Sequence, residues 1–178
     1  MEPKILKIAD RKEERFLRKA TKEFRFPADP AEVKKLIEIM KKAMRKANGV
    51  GLSANQIGIP HKVFVAEVPD QNGGNKFYAV FNTKIEKKSS GTVDFEEGCL
   101  SVPGMFGSVP RPEKITISGL DKGGKPLKIK AWGLLARVFQ HEIDHLGGAL
   151  FIDKAKILYK IPESEHLQKY ENVRKYEK

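Results

Sequence analysis

Apolar side chains recur at helical spacing in two parts of the chain, and each part predicts an amphipathic helix. Behind Asp29-Pro30, a pair typical of a helix N-terminus, apolar residues recur every three or four positions over residues 33–47. The same spacing predicts a second helix over about 132–146, which two glycines end. A third, more polar helix is predicted after Pro162, over about 163–177.

Between the first two helices the pattern changes to short runs rich in β-branched and aromatic residues. Such runs occupy residues 63–66, 77–81 and 115–117, and turn-forming residues stand at 72–75 and 121–124. Strands placed between helices in this way predict an α+β fold. Because no repeat, low-complexity tract or linker interrupts the chain, we expect one domain over residues 1–178.

The composition favours a water-soluble folded domain. Of the 178 residues, 40% are apolar and 32% are charged, and no apolar run is long enough for a bilayer span. The N-terminus begins with charged residues and not with an apolar export signal. The one cysteine, Cys99, has no partner for an internal disulfide. We therefore expect a cytoplasmic protein without membrane contact, whose thiol is a core residue, a nucleophile or a metal ligand.

The net charge of +11 is concentrated at the two ends of the sequence. Residues 1–48 carry 15 basic and 8 acidic side chains and residues 154–178 carry 7 and 4, whereas residues 49–153 carry 12 and 11. Basic ends predict either contact with a polyanion such as RNA or a surface kept soluble by lysine. The sequence contains no RNA-binding signature with interleaved aromatic residues, and DNA is not an expected partner.

The strongest chemical signal is the run His141-Glu142-Ile143-Asp144-His145 on the second predicted helix. Histidines four residues apart lie on the same helical face, so both imidazoles can bind one metal ion. Glu142 would lie beside the open coordination position, where a general base is needed. Two purely structural histidines are the alternative interpretation.

A catalytic metal site usually has three protein ligands and one exchangeable position. One subclass of metallopeptidases has a third histidine six residues after the second, but that position is Phe151 here. Glu165 is one candidate third ligand, and it would make the protein a metallopeptidase of the His-Glu-x-x-His type. Cys99 is another, because a thiolate binds divalent transition metals strongly and its neighbours are typical of a loop. A lone cysteine is also often a small buried apolar residue.

A glycine-containing segment, residues 49–56, follows the first predicted helix. Gly49, Gly51 and their small neighbours allow a ligand to lie close to the backbone, and Gln56 offers an amide donor. Taken alone, the segment is also consistent with a helix cap followed by a turn.

Three segments, in this order, resemble the peptide deformylase family. The family pattern is Gly-x-Gly-x-Ala-Ala-x-Gln, then Glu-Gly-Cys-Leu-Ser, then Gln-His-Glu-x-Asp-His-Leu, and it corresponds to residues 49–56, 97–101 and 140–146. The resemblance covers roughly residues 1–160. Ser53 replaces the first alanine of the first segment, and Met105-Phe106 stand where several relatives carry a basic residue near the substrate.

This resemblance implies an α+β fold in which short, mostly antiparallel β-sheets pack around a central metal-binding helix, with an N-terminal amphipathic helix and a C-terminal helix. It also implies a metal-dependent hydrolase that removes the formyl group from the N-terminal formyl-methionine of new proteins and releases formate. Cys99, His141 and His145 would hold one divalent metal ion. That ion would be Fe²⁺ in the cell, and the same donors also suit Zn²⁺, Ni²⁺ or Co²⁺.

The resemblance further implies how the reaction is catalysed. Glu142 would take the proton of a metal-bound water that attacks the formyl carbonyl, and the Gln56 amide and Leu100 N–H would stabilise the oxyanion. The implied substrate-binding residues are Gly49, Val50, Gly51, Phe95, Glu97, Gly98, Leu134 and Val138.

The charged residues around these positions predict a supporting group. We expect Glu97, Arg111 and Asp144 to orient the cysteine loop against the metal-binding helix. The expected partners are formyl-methionyl nascent peptides and, through the basic ends, the ribosome surface, with the protein acting as a monomer. A basic RNA- or ribosome-binding module without catalysis is the remaining alternative.

Overall fold

The structure, a computed structural model, describes residues 3–70 and 73–162. Within these residues the chain forms three α-helices, α1 (Arg11–Leu17), α2 (Pro30–Lys46) and α3 (Gly133–Leu146), and two 3₁₀ helices, Ala54–Ile57 and Phe151–Asp153. The strands, in chain order, are β1 (Gly51–Ser53), β2 (Val63–Pro69), β3 (Asn75–Lys88), β4 (Thr92–Cys99), β5 (Val102–Pro112), β6 (Lys114–Leu120), β7 (Pro126–Trp132) and β8 (Ile157–Lys160).

The strands form two antiparallel sheets that meet at α3. The larger sheet has the order β1-β2-β3-β6-β7, and the smaller has the order β4-β5-β8. Short connections of two to five residues join β2 to β3, β4 to β5 and β6 to β7, as antiparallel strands allow. The predicted α+β fold with mostly antiparallel sheets around one central helix is confirmed.

The larger sheet has a hydrophobic core on each face. On one face, strand residues such as Phe64 and Ile117 pack against α3, where the buried Phe139 makes edge contacts with Phe64 and Tyr78. On the other face, the apolar stripe of α2 packs against β1, β2 and the first half of β3. Helix α3 is therefore held by buried apolar contacts along its length.

The N-terminus of α2 forms as its sequence predicts. The Asp29 carboxylate accepts a hydrogen bond from the backbone N–H of Ala31 at 2.8 Å, and Pro30 occupies the first turn. Helix α3 begins at Gly133, one residue after the predicted start, and Gly133 has a positive φ of 57°. Trp132 is its N-terminal cap residue and the last residue of β7.

The strands are longer and more numerous than the apolar runs predict. Strand β3 has 14 residues, and the pattern missed its second half because that half is mostly exposed and rich in Lys, which gives no apolar signal. Strands β4 and β5 contain Gly, Pro and paired acidic residues, a composition more typical of loops. The predicted C-terminal helix lies outside the described residues. In the described part of the chain, no helix combines the length and apolarity of a membrane span.

Candidate metal centre and active site

Helix α3 places His141 and His145 one turn apart, facing the smaller sheet. Their Nε2 atoms lie 3.2 Å from each other, so both imidazoles converge on one point. His145 is fully buried, and its backbone carbonyl accepts a hydrogen bond from Asn55 Nδ2 at 2.6 Å. Burial and the neighbouring His141 lower the pKa of His145 well below its usual range, which favours the neutral form that binds metals.

Cys99, at the end of β4, supplies the third donor. Its Sγ lies 3.1 Å from His145 Nε2, and the donor atoms of Cys99, His141 and His145 all lie within 4.8 Å of one another. One thiolate and two imidazoles form a donor set typical of divalent transition metals such as iron and zinc. These three residues therefore fit a metal ion, and they leave a fourth coordination position for water or substrate.

Glu97 lies behind the metal ligands and is almost completely buried. Its Oε2 lies 2.9 Å from His141 Nδ1, and Arg111 forms a two-point ion pair with its carboxylate. Burial alone would raise the pKa of Glu97, but hydrogen bonds from His141 and Arg111 outweigh burial and hold it well below the usual range. Arg111 also donates to Asp144 Oδ2 at 2.8 Å, so the structure brings the expected charged group together.

Glu142 projects from α3 beside the ligands and is 3% exposed. Burial raises its pKa to about 7, a value suited to taking and returning a proton near neutral pH. Its Oε2 has no hydrogen-bond partner among the described residues. Gly51 makes room for this carboxylate, since a Cβ at that position would lie 2.5 Å from Glu142 Oε1.

Gln56 is fixed so that its amide nitrogen faces the sulfur. Its Oε1 accepts hydrogen bonds from the backbone N–H of Ser53 at 2.9 Å and from Ser53 Oγ at 3.0 Å. Its Nε2 therefore points the other way, 3.2 Å from Ser101 Oγ and 3.7 Å from Cys99 Sγ. The serine that departs from the family pattern thus adds a second hydrogen bond to the glutamine.

One cleft, open to solvent and with an internal volume of about 80 Å³, joins these groups. His145 is buried behind it, and all the other predicted site residues line it, namely Gly49, Val50, Gly51, Gln56, Phe95, Glu97, Gly98, Cys99, Leu100, Leu134, Val138, His141 and Glu142. Phe106 also lines the cleft, but it is buried beneath Gly98, whose added Cβ would lie 2.6 Å from the Phe106 ring.

Two supporting residues were missed by sequence reasoning. Arg137 donates to Glu97 Oε1 and to the carbonyl oxygens of Val109 and Val93, at 2.6 to 2.9 Å, and so ties α3 to both β4 and β5. Its position four residues before His141 could have predicted this role, because that spacing places both side chains on the same face of α3. Asn55 gave no comparable signal, since its bond to His145 O joins residues 90 apart in sequence.

A buried carboxylate beside two imidazoles and a thiolate, on a cleft open to solvent, is the arrangement that a metal-dependent hydrolase requires. Residues 4–160 match the family model of polypeptide deformylase. The chain belongs to the peptide deformylase family.

Individual relatives agree with this assignment. A peptide deformylase of Pelotomaculum thermopropionicum is 42% identical over 162 residues, which cover 91% of this chain and 97% of the relative. One from Halothermothrix orenii is 48% identical over 119 residues, 67% of this chain and 75% of the relative.

Solved structures show the same fold. The peptide deformylase of Thermotoga maritima superposes with a TM-score of 0.79 at 36% identity, covering 88% of this chain and 99% of that one. A peptide deformylase from Synechococcus elongatus, solved in complex with actinonin, has a TM-score of 0.77 at 33% identity and covers 96% and 87%. The chain is therefore an enzyme, a metal-dependent deformylase that removes N-terminal formyl groups.

Proposed function

We propose that Cys99, His141 and His145 hold the catalytic metal ion and that Glu142, Gln56 and Leu100 carry out the chemistry around it. The observation behind this proposal is the convergence of the sulfur and the two Nε2 atoms beside a buried carboxylate. When bound, the ion supplies Lewis-acid activation of water and of the formyl carbonyl. Glu97 would fix the orientation of His141 through its Nδ1.

Glu142 is the proposed proton carrier. With a pKa near 7, its carboxylate accepts a proton from the attacking water, and the carboxylic acid then donates that proton to the nitrogen of the leaving amine. The C–N bond breaks as the amine takes up the proton, which gives formate and a free N-terminus. Gly51 contributes by leaving space for the carboxylate next to the cleft.

Gln56 and the backbone N–H of Leu100 are the proposed donors to the oxyanion. Ser53 holds the Gln56 side chain with its amide nitrogen facing Cys99, so the donor is oriented before the substrate arrives. Leu100 directly follows Cys99, and both line the cleft. Donors fixed in this way lower the barrier because they need no reorganisation during the reaction.

The cleft also suggests why a formyl group is accepted. A formyl carbon carries only hydrogen beyond the carbonyl, so close walls at Gly49, Gly51 and Gly98 admit it and exclude a larger acyl group. We propose that the methionine side chain of the substrate lies among Val50, Phe95, Leu134 and Val138. A complex with a substrate analogue whose methionine side chain lies elsewhere would contradict this assignment.

We propose Fe²⁺ as the ion used in the cell, on the basis of the resemblance to the family. The donor set supports a divalent transition metal but accepts Zn²⁺, Ni²⁺ and Co²⁺ as well. The experiment is to prepare the protein without oxygen, measure its metal content, and follow formate release from a formyl-methionyl peptide. Glu142→Ala, loaded with the same metal, is the inactive control. Metal-loaded protein that releases no formate would overturn the proposed roles.

Substitution of the candidate third ligands distinguishes this site from a metallopeptidase site that uses Glu165. Cys99→Ser should abolish metal-dependent activity, whereas Glu165→Ala should leave it unchanged. The reverse result would assign the third ligand to Glu165, which lies outside the described residues.

We further propose that the protein works as a cytoplasmic monomer on formylated nascent peptides at the ribosome surface. The support is the basic charge of residues 1–48 and 154–178. Co-sedimentation with ribosomes should weaken as salt increases and after deletion of residues 163–178. Binding unchanged by both treatments would mean that the basic ends serve only solubility.

A further inference from the structure

The larger sheet has an uncovered basic face that takes no part in the metal centre. On β3, β6 and β7, directly paired residues form three rows across the strands, Lys84–Ser118–Lys128, Lys87–Thr116–Lys130 and Lys114–Trp132. Paired residues in neighbouring strands project from the same face, as do residues two apart along a strand. These eight side chains therefore share one side of the sheet, here called the lysine face.

The two faces of these strands have opposite character. The residues that alternate with the lysine face, among them Ile115, Ile117 and Ile129, pack into the core beneath α3. On the side of the lysine face, the core under α2 extends only as far as Phe81 and Leu120, which are paired with each other. Beyond that pair the strands are open to solvent, and all five lysines of the face are exposed.

The charge of the lysine face is mostly unneutralised. Among the residues that the structure describes, only Lys84 of these lysines forms an ion pair, with Glu86 Oε1 at 3.1 Å. The same Glu86 oxygen accepts a hydrogen bond from Ser118 Oγ at 2.6 Å. Residues 49–153 are nearly neutral in sum, yet acids such as Glu97 and Glu142 lie at the metal centre, away from this face. The sequence-based conclusion that basicity belongs to the chain ends is therefore incomplete.

Trp132 adds an exposed aromatic side chain to this face. It is the only tryptophan in the sequence, and 57% of it is exposed. It stands beside Lys114 in the outermost row, on the edge strand β7. An exposed indole next to lysines about 7 Å apart along β7 and about 10 Å apart across a row suits a chain that carries both phosphates and flat bases.

We propose that the lysine face binds single-stranded RNA, with phosphates at the lysines and a base stacked on Trp132. Lysines supply the electrostatic attraction, and the hydroxyls of Thr116 and Ser118 stand between them as hydrogen-bonding groups. An anionic membrane would match the charge and its interface also accepts an indole ring, and the vesicle experiment below separates it from RNA. This surface is separate from the chain ends. If the lysine face does not bind RNA, the proposed deformylase chemistry is unaffected.

The experiment titrates the intact metal-loaded protein with a short fluorescein-labelled oligouridine. Intrinsic fluorescence reports this face directly, because Trp132 has no other tryptophan to obscure it. We expect RNA to quench Trp132, with an affinity that falls as salt increases. The double change Lys128→Gln and Lys130→Gln should reduce the slope of log K against log salt by about 1.4. Trp132→Ala should lower the affinity, measured by anisotropy, roughly fivefold or more.

The matched control is the double change Lys76→Gln and Lys88→Gln, which removes the same charge from exposed positions of β3 outside the basic chain ends. Lys88 pairs with Ile115 and Lys76 is two residues before Tyr78, so both project from the opposite side of the sheet. This control should leave the quenching and the slope unchanged, and all variants should retain deformylase turnover, which shows that they fold. Equal weakening by this control would attribute binding to net charge and overturn the proposal. Quenching by phosphatidylserine vesicles as strong as that by RNA, or no quenching by RNA, would overturn it as well.

Discussion

The Oε2 atom of Glu97 lies 2.9 Å from His141 Nδ1, so a residue two places before the proposed ligand Cys99 orients the proposed ligand His141. The contact joins β4 to α3 and selects which ring nitrogen of the histidine faces the metal site. Arg111 and Arg137 hold the same carboxylate from other sides. The cysteine strand and the histidine helix are therefore aligned by one buried anion with three cationic or hydrogen-bonding neighbours.

Glu97→Gln should weaken metal binding about 10- to 100-fold, because the amide removes the charge that fixes His141. Metal competition with a chelator measures the affinity, and formate release at saturating metal measures the remaining activity. Asp94→Asn is the control, since Asp94 lies on the same strand but pairs with Lys156 at the surface. If both variants bound metal as tightly as the parent protein, the orienting role of Glu97 would be wrong.

Gly51→Ala should reduce turnover strongly while the protein retains its metal. The added Cβ would lie 2.5 Å from Glu142 Oε1 and 2.9 Å from Val138 Cγ1, so the carboxylate must move. A displacement of about 1 Å at a catalytic group can cost on the order of 100-fold in rate. Gly91→Ala is the matched control, because a Cβ there meets nothing within 4 Å. Full activity in Gly51→Ala would show that Glu142 does not need this space.

Val138→Phe should change which N-terminal side chain the enzyme prefers. Val138 is 4% exposed and lines the cleft, so a larger ring there would fill the proposed methionine pocket. The ratio of kcat/KM for formyl-methionyl over formyl-alanyl peptide should fall by roughly 10-fold or more. The alanyl peptide serves as the internal control for loss of folded protein. An unchanged ratio would place the methionine side chain outside this pocket.

Asp153→Asn should lower stability at neutral pH and have little effect in acid. Burial would raise the pKa of Asp153, but the ion pair with Arg18 and the hydrogen bond from the Leu150 N–H outweigh burial and lower it. Because the pKa is lower in the folded state, the carboxylate stabilises the fold above the unfolded value of about 4, and this effect is lost as pH falls through the folded value. Thermal unfolding of the parent protein and of Asp153→Asn, between pH 7 and pH 2.5, measures this loss of stability. If the difference in unfolding temperature between the two proteins stayed constant with pH, the Asp153 carboxylate would not stabilise the fold through its charge.

The parts of the site that lie close together in sequence were predictable. His141 and His145 are four residues apart on one helix, so their spacing alone places them on one face, and Glu142 follows directly after His141. The N-terminus of α2 was equally predictable, because Asp29 caps the helix through contacts two residues away. In each case the physical cause acts within a few residues, and the sequence contains all of it.

The contacts between distant segments were not predictable from pattern alone. Arg137 binds carbonyl oxygens of Val93 and Val109, and every residue has such an oxygen, so no residue type marks the partner. Strand β5 carries Pro103, Pro110 and Pro112, which weaken any strand signal, and it forms because β4 and β8 pair with it. The lysine face also required the register of β3, β6 and β7, since Lys84 and Lys128, which are 44 residues apart in sequence, share a row only after the strands pair.

The donors at the metal centre come from different layers of the molecule, since Cys99 ends a strand of the smaller sheet and both histidines belong to the helix beneath the larger one. A metal ion held by all three is thus a non-covalent crosslink between the two sheets. Metal binding and the packing of the two sheets are then linked. Tight metal binding requires that the sheets are packed together, and the bound ion in turn stabilises that packing. Loss of the ion would therefore lower the stability of the fold as well as abolish catalysis.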